Sequence, residues 1–324
     1  MSVKQNLRSE VILEKYGKSL AGKTVLITGV SDQSIAGELA IQLSNADPKL
    51  LILSARAESK VAPIAEKIKA SKPNVETRFL NMELGDLSNI HQAVNEGLAD
   101  VPKIDHVVFV AAVMACPFSR TKDGFEMQFG VNYLANFFLV KLLLPKIQAA
   151  GPTSSIIVTS SAAMRQGQVH FDDLDFSDGK TYEPLVAYSQ SNAARTMFAK
   201  RLGENLKSQG IRVFSIDPGG ICLHRLAKAL PPDFPEMMEE WKKAGPLLDV
   251  DGKEFDFPTW TTRSEGAATM ITGMIDPTIA DYTGAFLSQN AVANDHMHAH
   301  VRDEQNCTRL WEMSEKMIQE KYPL

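Results

Sequence analysis

The residues best placed to do chemistry lie between Ser155 and Asn192. A β-branched apolar run, Ile156-Ile157-Val158-Thr159, ends in Ser160-Ser161, and Tyr188-Ser189-Gln190-Ser191-Asn192 opens a helical pattern. A hydroxyl at a strand end and a phenol on the next helix can meet over one substrate oxygen. The first donates a hydrogen bond and the second moves a proton. Neither is a strong acid or base unaided, so the charges around the phenol decide what the pair can do.

The elements that must position this pair follow a regular order. Apolar runs at Thr24–Thr28, Leu50–Leu53, Thr77–Leu80, Val107–Val110, Ile156–Thr159, Ile211–Ile216 and Ala285–Leu287 read as strands. Helical patterns lie between them, and a short amphipathic helix over residues 5–17 precedes the first. This alternation predicts an α/β fold with one doubly wound parallel sheet of about seven strands, a single Rossmann-type domain over 1–324. Ligands of such a sheet bind at the carboxyl ends of its strands. Two stretches break the alternation: an acidic loop, 168–183, and a Pro-, Met- and Trp-rich stretch, 221–262. The second is expected to be a substrate-lid insertion.

Composition narrows the classes. The 324 residues are 44% hydrophobic and 23% charged, with a net charge of −5, so no nucleic-acid partner is expected. Cys116, Cys222 and Cys307 are scattered and odd in number, which favours a reducing compartment over a disulfide framework. Met1 to Lys18 lacks the apolar centre of a signal peptide, and no membrane span is expected because Lys141 breaks the best apolar run. A cytoplasmic location follows as the expectation. The histidines of Asp295–His300 alternate, but they fall in an irregular stretch and no metal is assigned to them.

Ser161 and Tyr188-x-x-x-Asn192 together resemble the signature of the short-chain dehydrogenase/reductase superfamily, whose pattern ends in Lys where this chain has Asn192. The likeness runs from about Lys23 to the C-terminal helix and is strongest to fungal retinol-dehydrogenase-like members. Phe118 to Glu126, Pro218-Gly219 and Leu310 to Lys316 carry it further. The resemblance implies that Ser161 holds the substrate oxygen, Tyr188 is the acid/base, and Asn132 holds a water in a proton relay. Pro218-Gly219 flanks a nicotinamide. It also implies a homodimer or homotetramer.

The cofactor side departs from the pattern. Gly29-Val30-Ser31-Asp32-Gln33-Ser34-Ile35-Ala36 stands where a pyrophosphate meets a helix start, and it lacks the later glycines. Its Ser34-Ile35-Ala36 is similar to the turn of enoyl-carrier-protein reductases, so Gly29, Ser31, Ser34 and Ile35 remain the phosphate candidates, provided Asp32 turns outward. Arg56 after the second strand suits a ribose 2′-phosphate, which favours NADP(H). Glu83 would meet the adenine. Ala111-Ala112 allow a close approach where the family has Asn-Asn-Ala-Gly.

Asn192 carries no charge and cannot lower the Tyr188 pKa as lysine would. Tyr188 is then expected to stay protonated at neutral pH, which weakens alcohol oxidation more than carbonyl activation. The leading reading is an NADP(H)-linked reductase or dehydrogenase with an atypical active site. Its expected substrate is a carbonyl or alcohol of a small lipophilic molecule, in secondary metabolism. A non-redox isomerase, dehydratase or cyclase using Ser161 and Tyr188, and a non-catalytic binding protein, stay open beside it.

Overall fold

The computed structural model describes residues 5–221, 246–256 and 260–324. Its centre is an eight-stranded sheet: β1 Thr24–Thr28, β2 Leu50–Ala55, β3 Glu76–Asn81, β4 His106–Phe109, β5 Ser155–Thr159, β6 Arg212–Asp217, β7 Phe286–Ser288 and β8 Ala291–Val292. The spatial order is β8-β7-β6-β5-β4-β1-β2-β3. Seven strands run parallel, and β8 adds an antiparallel edge that the expected count of about seven did not include. Ala291–Val292 is two residues long, too short to leave a periodic signal.

The inner strands are buried on both faces, while on the edge strand β3 only Leu80 is buried, and successive residues of the inner strands feed opposite cores. On β1, Leu26 joins one cluster while Val25 and Ile27 join the other. On β5, Ile156 and Val158 face the first and Ile157 the second. The first core is covered by helices Leu87–Asn95, Met127–Ala150, Pro184–Leu206 and Glu304–Met317. The second is covered by Ser9–Tyr16, Ile35–Ser44, Glu58–Ser71 and Arg263–Ile275.

The helix Met127–Ala150 spans 24 residues and is long and apolar enough to cross a membrane by length and composition. This corrects the expectation that no stretch qualifies. Lys141 does not break the run, because its ammonium reaches Glu320 at the helix surface while the apolar faces stay inside. In the fold this is a core helix, with 83% of its apolar window buried. It contains one π-type turn, Gly130–Leu134, around Asn132. Such turns shift the helix register at one point and recur at functional sites.

Residues 222–245 and 257–259, most of the expected lid, lie outside the described residues. The remainder of that stretch returns to the sheet's ligand edge. Leu247–Leu248 pairs with Glu254–Phe255, and Asp249 lies 3.7 Å from the Arg165 guanidinium, itself stacked on Phe255. The acidic loop 168–183 is held by Arg120, bonded to Asp175 and Asp178, and by the Tyr182 hydroxyl on the Cys116 carbonyl.

Inside the sheet, His106 of β4 bonds through Nδ1 to Ser155 Oγ of β5 at 2.9 Å. Burial favours the neutral ring and pushes its pKa from 6.5 down to about 4. A folded-state pKa below the unfolded one gives stability that is complete above pH 6.5 and lost as pH falls towards 4. The loss amounts to about 3 kcal/mol when protonation is complete. Denaturant unfolding across that window should show the decline, and His106→Gln should flatten it. An unchanged slope in the variant would remove His106 as the cause.

Candidate active site

Strand order reverses between β1 and β4, so their carboxyl ends open the crevice where ligands of such sheets bind. Gly29, just past β1, has φ 77°, and a Cβ on it would lie 2.8 Å from Ala111 Cα. The Thr28 hydroxyl oxygen accepts from the Val110 and Ala111 amides at 3.1 and 3.2 Å. The two strand ends are thereby held in backbone contact, with no space for a side chain.

The loop after β1 is closed by Ser34. Its hydroxyl accepts from the Gly37 amide at 2.9 Å and the Ser31 amide at 3.2 Å, and donates to the Ser31 carbonyl. This is a helix N-cap for Ile35–Ser44. Gly37 cannot carry a side chain, since its Cβ would meet the Ser31 carbonyl oxygen at 2.4 Å. Asp32 turns away to Lys67, 2.8 Å from its ammonium. Further along the edge, exposed Arg56 lies 3.8 Å from Glu83, whose carboxylate also accepts from the Gly85 amide.

Asn132 sits at the π-type turn and is fully buried. Its side chain accepts from the Val113 amide and donates to the Val113 carbonyl and the Ser191 hydroxyl. Its backbone carbonyl accepts from Asn136 Nδ2 at 2.7 Å and Arg195 Nε at 2.5 Å, which fills both lone pairs. Asn132 therefore braces the end of β4 against the helix Pro184–Leu206.

That helix starts with proline in its first turn. Tyr188, Asn192 and Arg195 fall at i, i+4 and i+7, one stripe of its surface. Ser161 caps the turn Ala162–Gln166 and accepts from the Ala163 amide at 3.2 Å, leaving its own proton to donate elsewhere. The phenol of Tyr188 is raised above 10 by burial. The Arg195 charge and the Ser161 and Asn192 side chains oppose that rise, and Asp217 adds to it. Asn192 is fully buried and donates Nδ2 to the Tyr188 carbonyl at 2.9 Å, while its Oδ1 has no partner among the described residues.

Ser161, Tyr188, Asn132 and Asn192 thus converge beside the crevice. Gly29, Ser31, Ser34 and Ile35 follow β1 and Ala111 and Ala112 follow β4, the two strands that flank it, while Arg56 follows β2 and Glu83 follows β3. Pro218-Gly219 follows β6, with the Gly219 amide on Asp217 Oδ1 and the Pro218 carbonyl on Thr261 Oγ1. Two residues escape a motif reading. Asp217 is buried at the end of β6, which pushes its carboxyl up, while the Gly219 and Ala162 amides partly offset this. Arg195 is the other. The signal that could have found it is the helical stripe itself, since a cation seven residues after Tyr188 shares its face.

Residues 29–254, more than half of the chain, match the family model described as Enoyl-(Acyl carrier protein) reductase. The chain belongs to the short-chain dehydrogenase/reductase superfamily. It is similar to Retinol dehydrogenase 13 of Mus musculus, 37% identical over 201 residues, 62% of this chain and 59% of that protein. The chain thus spans less than two thirds of that relative's length. Oxidoreductase calI of Penicillium decumbens is 27% identical over 94% of this chain and 89% of its own. A short chain dehydrogenase from Salmonella enterica has the same fold, with a TM-score of 0.63 and 21% identity over 85% of this chain and 98% of that one.

The contact between Gly29 and Ala111 makes one expectation sharp. Gly29→Ala adds a Cβ at positive φ against backbone, so the protein should lose about 1–3 kcal/mol. Urea unfolding of the variant checks this, and an unchanged midpoint would mean that the two strand ends can separate freely.

Proposed function

We propose that this chain is an NADP(H)-linked oxidoreductase acting on a carbonyl or alcohol of a small lipophilic substrate, with carbonyl reduction the favoured direction. The observation that carries the reading is the convergence of Ser161 and Tyr188 beside a crevice whose floor admits backbone only. Two features fit a bound dinucleotide. The Gly29–Ala111 contact leaves a side-chain-free approach, and the buried, unpartnered Asn192 Oδ1 can accept from a ribose hydroxyl. Arg56 would hold the 2′-phosphate, and the amides around Ser31 to Ile35 the pyrophosphate.

When bound, the cofactor supplies a hydride. Ser161 donates a hydrogen bond to the substrate oxygen. Tyr188, protonated at neutral pH because burial holds its phenol above 10, gives that oxygen its proton. The same protonation makes Tyr188 a poor base for alcohol oxidation. A lipophilic substrate is supported by the names of the retinol dehydrogenase relatives. Secondary metabolism and a reducing, cytoplasmic setting rest on the fungal likeness and on the cysteine usage. The hairpin tethered to Arg165 supports the lid role proposed for 221–262, and the superfamily's habit supports a homodimer or homotetramer.

A second reading, acid/base chemistry without redox, is favoured by one observation. Ser34 Oγ already occupies the Ser31 and Gly37 amides, so part of the loop is satisfied without an anion.

An NADPH fluorescence titration separates the two readings. Saturable binding at micromolar or tighter affinity is expected, and its absence would remove the redox reading. Arg56→Ala should weaken NADPH binding about tenfold to a hundredfold and leave NADH nearly unchanged. Equal losses for both cofactors would place Arg56 elsewhere. Tyr188→Phe should cut turnover by about a hundredfold or more under either enzyme reading. Retained activity would refute the site.

A further inference from the structure

The position four residues after Tyr188 is neutral, yet the stripe it belongs to is not without a cation. Arg195, one turn further along the same face, is 1% exposed and among the largest fully buried side chains of the protein. Its Nε donates to the Asn132 carbonyl at 2.5 Å and its Nη2 to the Ala111 carbonyl at 2.6 Å. The first carbonyl belongs to the π-type turn of the buried helix, and the second to the crevice floor beside Gly29. A buried guanidinium without a carboxylate partner among the described residues is costly, and two carbonyl acceptors offset only part of that cost. Burial pulls the Arg195 pKa down to about 10, so it remains charged at neutral pH.

We infer that Arg195 is the site's cation: a positioning residue whose buried charge replaces in part, for Tyr188, the charge that a lysine at 192 would supply. The inference rests on the Tyr188 assignment above. Its mechanism is direct. A positive charge on the same helical stripe, in surroundings of low dielectric, favours the phenolate form of Tyr188 and so eases transfer of its proton to the substrate oxygen. Asn192 complements this arrangement. Its short neutral side chain leaves room for the guanidinium and avoids a second positive charge three residues from Arg195, where like charges on a helix repel. The neutral residue at 192 and the buried cation at 195 are therefore one exchange.

Charged groups on the elements around this helix do not supply this function. From β6, Asp217 acts against phenolate. From the turn Ala162–Gln166, Arg165 is engaged with Asp249 and Phe255. Before the buried helix, the Glu126 carboxylate accepts from the Gln128 and Phe129 amides.

The test follows Tyr188 ionisation in the cofactor-free full chain by tyrosinate absorbance, with Tyr188→Phe as the baseline that removes the other tyrosines. Circular dichroism confirms the fold of each variant. Arg195→Gln should raise the Tyr188 midpoint by about one unit or more, or move it out of the folded range. Arg195→Lys should hold it near the wild-type value. The double variant Asn192→Lys with Arg195→Gln should bring it back, whereas Asn192→Lys alone should change it little. A midpoint unmoved in folded Arg195→Gln overturns the inference. So does a wild-type Tyr188 that stays silent up to alkaline unfolding, and so does failure of all three Arg195 variants to fold, which would assign Arg195 to structure alone. An NADPH titration on the same samples judges the cofactor reading independently, because the tyrosine measurement needs no cofactor.

Discussion

The interaction on which the rest of the site depends is the pair of hydrogen bonds from the buried Arg195 guanidinium to the Asn132 and Ala111 carbonyls. A guanidinium is planar and presents its donors at fixed angles, so its two acceptors must be held in one geometry. Those acceptors come from the π-type turn of the helix Met127–Ala150 and from the chain just past β4. Three elements are thereby locked to one another behind Tyr188. The side chain of Asn132 repeats the lock, bonding Val113 on one side and Ser191 on the other. A buried charge that must find both partners specifies a single arrangement more strictly than an apolar contact of similar area would.

From this lock outward, the two halves of the site differ in how they are held. The half around Ser161 and Tyr188 stands on regular structure. Ser161 caps a turn at the end of β5, and Tyr188 sits in the second turn of a 23-residue helix. The half around Gly29 and Ser34 stands on close backbone contact and small capping residues. Gly29 meets Ala111, Ser34 closes its own loop, and Asp32 is drawn off to Lys67. A loop organised by its own serine depends less on glycines.

The π-type turn at Asn132 connects the two halves. A continuous α-helix uses each backbone carbonyl for the amide four residues on, and a π-type turn shifts that pairing at one point. The Asn132 carbonyl can then accept from the side chains of Asn136 and Arg195 instead. An otherwise apolar core helix thus presents one polar point, at the place where the tyrosine helix passes.

The sequence alone determined the seven parallel strands, because they are short apolar or β-branched runs and such runs need no distant information to be recognised. It also determined the family likeness, because the types and spacing of Ser161 and Tyr188 that carry it are local. Strand ends and helix starts came out within a few residues for the same reason. What only the tertiary structure decided depends on residues far apart in the chain. Arg195 reaches carbonyls 63 and 84 positions away, and Lys67 draws Asp32 aside across 35. The apolar run Met127–Ala150 reads the same whether it lies in a core or a bilayer, and packing against the sheet decided between them. Asn192 read by itself as a lost charge. Folding brings the Arg195 charge to the same stripe, because one helical turn spans only about 5.4 Å of rise.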